Sequence, residues 1–308
     1  MAFALPLIVL GGTFDRLHAG HKRLLTESFA RAQKVGIGLA VDALVAKSPS
    51  KGLGVTPFEE REALLKTWLR RSYPGSRWYV LALDHPEGKI HEPEIPALAV
   101  SEETFPAAVR ANKWRAAHHM DPLTLVVVGR VYGEDLLPIA SRRIRAGDID
   151  GEGRRFRPVV LGFAPTMDPG VRAALVEAWK RLMPGPQIRM LDAPATAPAA
   201  EGTAPDYRVE LERGRSRWTI TVTDRDGAVL EASVAGEGAG ATLPTLTSPI
   251  SLRAVAAGLL ADAFAPRLLA RSGALPPSVV IEGDAARWPG GGRWTRKVYS
   301  PSGVFPYQ

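Results

Sequence analysis

Two histidines three residues apart, His18 and His21, follow a glycine pair in the run Gly11-Gly12-Thr13-Phe14-Asp15-Arg16-Leu17-His18-Ala19-Gly20-His21. Gly11 and Gly12 let the backbone turn sharply and approach a ligand with no Cβ in the way. Thr13 offers a hydroxyl. A helix opening near His21 would aim N–H groups and the positive end of its dipole at an anion. Two imidazoles beside such a turn suit a reaction in which negative charge develops on phosphate oxygens. A glycine pair alone is common, and a lone histidine at a helix start is more often a cap than a catalyst. The joint pattern carries the chemistry.

The elements that must hold this run are legible around it. Residues 6–10 form an apolar run of strand length, and 22–32 carry Leu24, Leu25 and Phe29 at helical spacing. The context is strand, glycine turn, helix. Further strands are predicted at 35–41, ending at Asp42, and at 78–83, 97–100 and 123–128. Helices are predicted from 57 to 68, with Pro57 early and Leu64, Leu65 and Trp68 buried, and from the Ser101-to-Thr104 corner to 119. Ser101 and Thr104 are candidate helix caps. The loop 47–54 holds Lys47 and Lys51; Lys51 either reaches a phosphate or is a solvated loop lysine. Ser141-Arg142-Arg143-Ile144-Arg145 opens a short basic helix, a second candidate phosphate cradle. Alternating strands and helices imply an α/β fold, a Rossmann-like, doubly wound parallel sheet with ligands at the carboxyl ends of its strands.

The GGTFD run with HAGH resembles the HxGH signature of the nucleotidyltransferase superfamily. GGTFDRLHAGHKRLL (11–25), PFEER (57–61), the 84–88 turn, VSEET (100–104) and IASRRIRAGDID (139–150) together resemble the archaeal and eukaryotic type of phosphopantetheine adenylyltransferase. That resemblance implies adenylyl transfer from ATP to 4′-phosphopantetheine, giving dephospho-coenzyme A and pyrophosphate. The substrate phosphate would attack ATP directly, with no covalent enzyme intermediate and with Mg²⁺ carried by ATP. It places Gly11, Gly12, Thr13, Phe14 and His21 on ATP, with His18 stabilising the transition state. Ser141, Arg142, Arg143 and Arg145 would bind the β- and γ-phosphates. Thr13, Asp42, Ser101, Glu102 and Thr104 would lie on the acceptor side, with Lys51, or Lys47 as its rival, on the substrate phosphate. Two departures stand out: Ala140-Ser141-Arg142 replaces a Ser-Ser-Thr run, and Glu87 replaces an aromatic in the 84–88 turn. An adenylyltransferase for another acceptor, such as nicotinamide mononucleotide, and a regulatory pseudoenzyme that binds ATP or coenzyme A are the alternatives.

A boundary is expected at the glycine-basic stretch 151–155, giving domains 1–156 and 157–308. The second reads as mixed α+β, with helices at 168–182 and 251–269, an Ala/Pro-rich loop at 193–205, antiparallel strands from 207 to 234 and a strand pair near 279–282 and 293–299. Asp226-Gly227 marks a hairpin turn. The stretches at 159–179, 206–214 and 223–227 resemble an eroded inosine/xanthosine triphosphatase-type domain. The Asn and Lys of that family's first loop are missing from 164–168, which implies that triphosphatase activity is lost. Glu210, Glu212 and Asp224 read as exposed strand acids or as remnants of a metal site. This domain is a candidate scaffold, regulator or dimer contact.

Composition narrows the field. The 308 residues contain no cysteine, which excludes disulfides and thiol catalysis and fits a reducing cytoplasm. No apolar run reaches the ~18–20 residues of a membrane span, and residues 1–10 read as a strand, not a signal peptide. The net charge of +7 is spread over both halves with no polybasic arm, so anionic small substrates explain it at least as well as nucleic acid, and no nucleic-acid partner is expected.

Overall fold

The computed structural model describes residues 5–48, 54–75, 77–192, 204–214, 217–235, 249–282, 285–287, 293–295, 298–300 and 303–305. β1 (Leu5–Gly12) runs into α1 (Ala19–Arg31), and β2 (Ala32–Ala40) follows with no loop between. α2 (Asp42–Ala46), α3 (Phe58–Ser72) and β3 (Trp78–Leu83) come next, then β4 (Ala97–Ser101), α4 (Phe105–Ala117), β5 (Thr124–Val128) and α5 (Ser141–Arg145). The five strands are parallel in the order β3-β2-β1-β4-β5. The order reverses between β1 and β4, and open α/β sheets bind ligands at such a switch point. Val9 pairs with Leu98 across it, so three residues further along each strand lie Gly12 and Ser101.

Alternation along the strands sends side chains to two separate cores. Ile8, Leu10, Val35, Ile37, Ala97, Ala99, Val126 and Val128 pack with Leu25 and Phe29 of α1 and Leu65 and Leu69 of α3. Leu98, Val100, Leu125 and Val127 pack on the other face with Phe105, Ala108 and Ala111 of α4. Helices on both faces make the sheet doubly wound, as expected.

The chain forms two compact units: Met1–Val131 with Pro138–Gly153 and Leu269–Gln308, and Tyr132–Leu137 with Arg154–Leu268. The second unit holds β6 (Val159–Phe163), α6 (Pro169–Leu182), β7 (Ile188–Asp192), β8 (Tyr207–Arg213), β9 (Arg217–Asp224), β10 (Val229–Ala235) and most of α7 (Pro249–Ser272). Its sheet, β10-β9-β8-β6-β7, is mixed. Phe264 meets Trp179 and Tyr207 edge to face there, and those two rings tilt against each other, in a core that also takes in Leu136 and Leu137.

The tail departs from the expected division at 156. β11 (Ser278–Glu282) pairs antiparallel with β5, and β12 (Ala285–Arg287) and β13 (Arg293–Thr295) extend the same sheet. The physical reason is that β5 is buried on both faces, and the apolar β11 covers what would otherwise be an open, hydrophobic sheet edge. The first sheet is therefore parallel in its centre and mixed overall. The Ala/Pro-rich loop at 193–205 lies mostly outside the described residues.

Candidate active site

The glycine turn sits where β1 ends, and its backbone is unusual. Phe14 and Arg16 both have φ of +49°, a left-handed conformation that side chains other than glycine's seldom adopt. Alternation of left-handed residues with ordinary ones turns successive amides toward one concavity, a nest that suits an anion. The cost of holding two such residues is met by bonds from behind the turn. Arg61 Nη1 donates to Thr13 O at 2.7 Å, and Ser141 Oγ donates to Asp15 O. Asp15 Oδ1 accepts the amide and hydroxyl of Thr56, at 3.2 and 2.8 Å, while Arg145 bonds its other oxygen. Burial pushes the Asp15 carboxyl up, but these bonds outweigh it and hold it below its ordinary value.

His18 caps α1. Its Nδ1 accepts the Gly20 amide at 3.2 Å, and its ring stacks on His21 with centroids 3.8 Å apart. Phe14, buried beneath, tilts against His21 at 5.2 Å. A Cβ on Gly20 would come within 3.1 Å of the His18 ring, so the glycine of HAGH keeps room for this imidazole. Burial lowers the His18 pKa to about 4, against the opposing pull of Asp15, so the ring is neutral at pH 7. With Nδ1 accepting, its single proton sits on Nε2, which leaves a donor. The expected bare helix start is partly filled: Ala19 N donates to Gly151 O and Gly20 N to His18. Two of the first amides of α1 are thus already bonded.

The other residues singled out from the sequence divide. Ser101 and Thr104 close the corner at the end of β4, hydroxyl to hydroxyl at 3.1 Å, and neither side chain caps α4. Glu102 is buried at that corner, 3.6 Å from Arg130 Nε. Asp42 gives one oxygen to Arg61 Nη2 and the other to the Phe58 amide, so it joins the end of β2 to α3. Of the basic helix, Arg142 is exposed, Arg143 is 0% exposed and donates to Pro138 O, and Arg145 is bonded to Asp15. Lys47 is exposed and Lys51 lies outside the described residues. Glu87 pairs with His91, whose ring packs on Trp114.

Sequence reasoning missed Arg61 and Thr56. The signal was present in PFEER: Arg61, Leu65 and Leu69 recur every four residues on one helix face, and an arginine on a buried stripe requires partners.

In the second unit, the loop after β6 is closed on itself. Arg172 donates to the carbonyls of Ala164, Pro165 and Met167, and Asp168 caps α6 by accepting the Val171 amide. Asp224 is a correction to the expected exposed acid: it is 4% exposed. One oxygen accepts from Arg267 at 2.6 Å and the other from the amides of Asp226 and Ala228. A negative turn residue facing a buried guanidinium explains why it is inside.

Comparison with known proteins agrees with the first sheet. A family model described as cytidylyltransferase-like matches residues 9–147. A phosphopantetheine adenylyltransferase of Methanothermobacter thermautotrophicus is 37% identical over 50% of this chain and 91% of its own. One from Methanosarcina mazei is 36% identical over 49% and 97%. A bifunctional phosphopantetheine adenylyltransferase/NTP phosphatase of Thermoplasma volcanium is 33% identical over 51% of this chain and 47% of its own, so this chain spans about half the length of that relative. With nine-tenths or more of single-function relatives matched at over a third identity, the chain belongs to the phosphopantetheine adenylyltransferase family.

Proposed function

We propose that the chain transfers the adenylyl group of ATP to 4′-phosphopantetheine, releasing pyrophosphate and forming dephospho-coenzyme A. The observation that carries this reading is the buried His18 ring, its Nδ1 fixed by the Gly20 amide and its face stacked on His21, at the helix start that follows a left-handed turn. In-line attack of the acceptor phosphate needs no enzyme nucleophile, so catalysis is positioning and charge stabilisation. Thr13, His21 and the turn amides hold the ATP phosphates. His18 Nε2–H donates to an oxygen of the transferring phosphoryl group as charge grows there. Ser101, Glu102 and Thr104, beside Gly12 across the switch point, face the acceptor. Mg²⁺ arrives on ATP as part of the substrate and neutralises phosphate charge there.

The test is magnesium-dependent pyrophosphate release by the full chain from ATP with 4′-phosphopantetheine. Turnover with this acceptor and not with nicotinamide mononucleotide supports the reading. Turnover only with nicotinamide mononucleotide moves the acceptor, and ATP binding without turnover on either makes the protein a nucleotide sensor.

A further inference from the structure

Arg61 stands one turn into α3, on the stripe it shares with Leu65 and Leu69, and is 1% exposed. A guanidinium in such a setting needs its N–H groups matched by acceptors. Those acceptors come from three separate segments. Nη1 reaches Thr13 O at 2.7 Å, Nε reaches Thr56 O at 2.7 Å and Nη2 reaches Asp42 Oδ1 at 2.6 Å. Thr56 then holds the Asp15 carboxylate through both its amide and its hydroxyl. One side chain on α3 thus holds the phosphate turn at Thr13 directly and at Asp15 through one intermediary.

The consequence follows from the peptide plane. A trans peptide points its N–H opposite to its C=O. Drawing the Thr13 carbonyl toward Arg61 turns the Phe14 amide the other way, and Phe14 is one of the two left-handed residues of the turn. We propose that Arg61 is a positioning residue for the transfer reaction, acting through the Thr13 carbonyl to aim the Phe14 amide at the ATP phosphates. It touches neither substrate. This inference rests on the adenylyltransferase reading above.

The test compares wild type, Arg61→Met and Arg61→Lys in the full chain. Equilibrium binding of MgATP and of adenosine is measured beside steady-state turnover with 4′-phosphopantetheine. Adenosine reports the part of the pocket that holds no phosphate. Arg61→Met is expected to bind ATP about tenfold more weakly with adenosine affinity within about twofold, and to lose about tenfold in kcat. Arg61→Lys, which keeps a donor for one carbonyl, recovers part of both. A purely structural Arg61 would lower the melting temperature yet leave the ATP-to-adenosine preference and kcat of the folded protein as in wild type, and that result overturns the inference. If Arg61→Met does not fold, Arg61→Lys decides by the same ratio. A wild-type chain that prefers ATP to adenosine no more than marginally overturns the adenylyltransferase reading itself, so the two failures are distinct.

Discussion

Burial lowers the His18 imidazole to about 4 while Asp15 pulls the other way, so at neutral pH the ring beside the turn carries no charge. On the proposed reading, a neutral Nε2–H donor contributes to rate to the extent that its bond to the transferring phosphoryl group is stronger in the transition state than in bound ATP. His18→Ala is therefore expected to lower kcat by about 10²–10³ with a modest change in ATP affinity. A large loss of ATP binding with kcat unchanged at saturation would contradict that role. The same burial has a cost in acid. The folded pKa lies below the unfolded value of 6.5, so the unfolded chain takes up a proton first and stability falls as pH drops from 6.5 toward 4. Between pH 7 and pH 5 the wild type should lose about 2 kcal/mol more than His18→Gln, because the ring takes up its proton near 6.5 when unfolded and near 4 when folded. Urea unfolding of both proteins at the two pH values measures it, and equal losses would show that the ring is not buried in this way.

Elements were legible where one local signal decided them. The strand at 78–83 agrees with β3 to the residue, and the glycine turn between β1 and α1 stands where strand and helix periodicities meet. The site turn could be read because glycines and histidines announce it. Its supports could not, since Arg61, Thr56 and Arg145 act through backbone carbonyls and a carboxylate 41 to 130 residues away in sequence. The tail failed for a related reason: the apolar run 279–281 shows a strand, but the pairing with 293–299 expected from nearness in sequence is replaced by β12 on one side, which lies between them. Its other neighbour is β5, where Val279 and Ile281 join the core beneath α4. Ile281→Ala should then destabilise the first unit, by about 2–4 kcal/mol, although it lies far beyond the boundary expected at 156. The unfolding transition that ATP shifts upward is the one to follow. Loss confined to a transition that ATP does not shift would return this strand to the other unit.

At the scale of the whole chain, the question is whether the second unit adds a reaction. Phosphate loops leave amides turned outward, but the β6–α6 loop turns its polarity inward. Three of its carbonyls are bound by Arg172, and the α6 start, where an anion would sit, already holds the Asp168 carboxylate. A triphosphate would have to displace a like charge there. Asp224 is occupied by Arg267 and two amides, and Tyr207, whose hydroxyl pKa burial pushes well up, donates to Asp135 O beside the Arg267 guanidinium. These groups are matched to one another, as groups that hold a core are. The full chain is accordingly expected to release no pyrophosphate from inosine or xanthosine triphosphate with Mg²⁺ in the absence of an acceptor. Release that Asp224→Asn or Glu210→Gln abolishes, with adenylyl transfer retained, would make the second unit an enzyme after all. If Arg267→Leu instead lowers only the melting temperature, by an amount matching the ~3–5 kcal/mol of a broken buried pair, the network holds the fold and has no chemistry of its own.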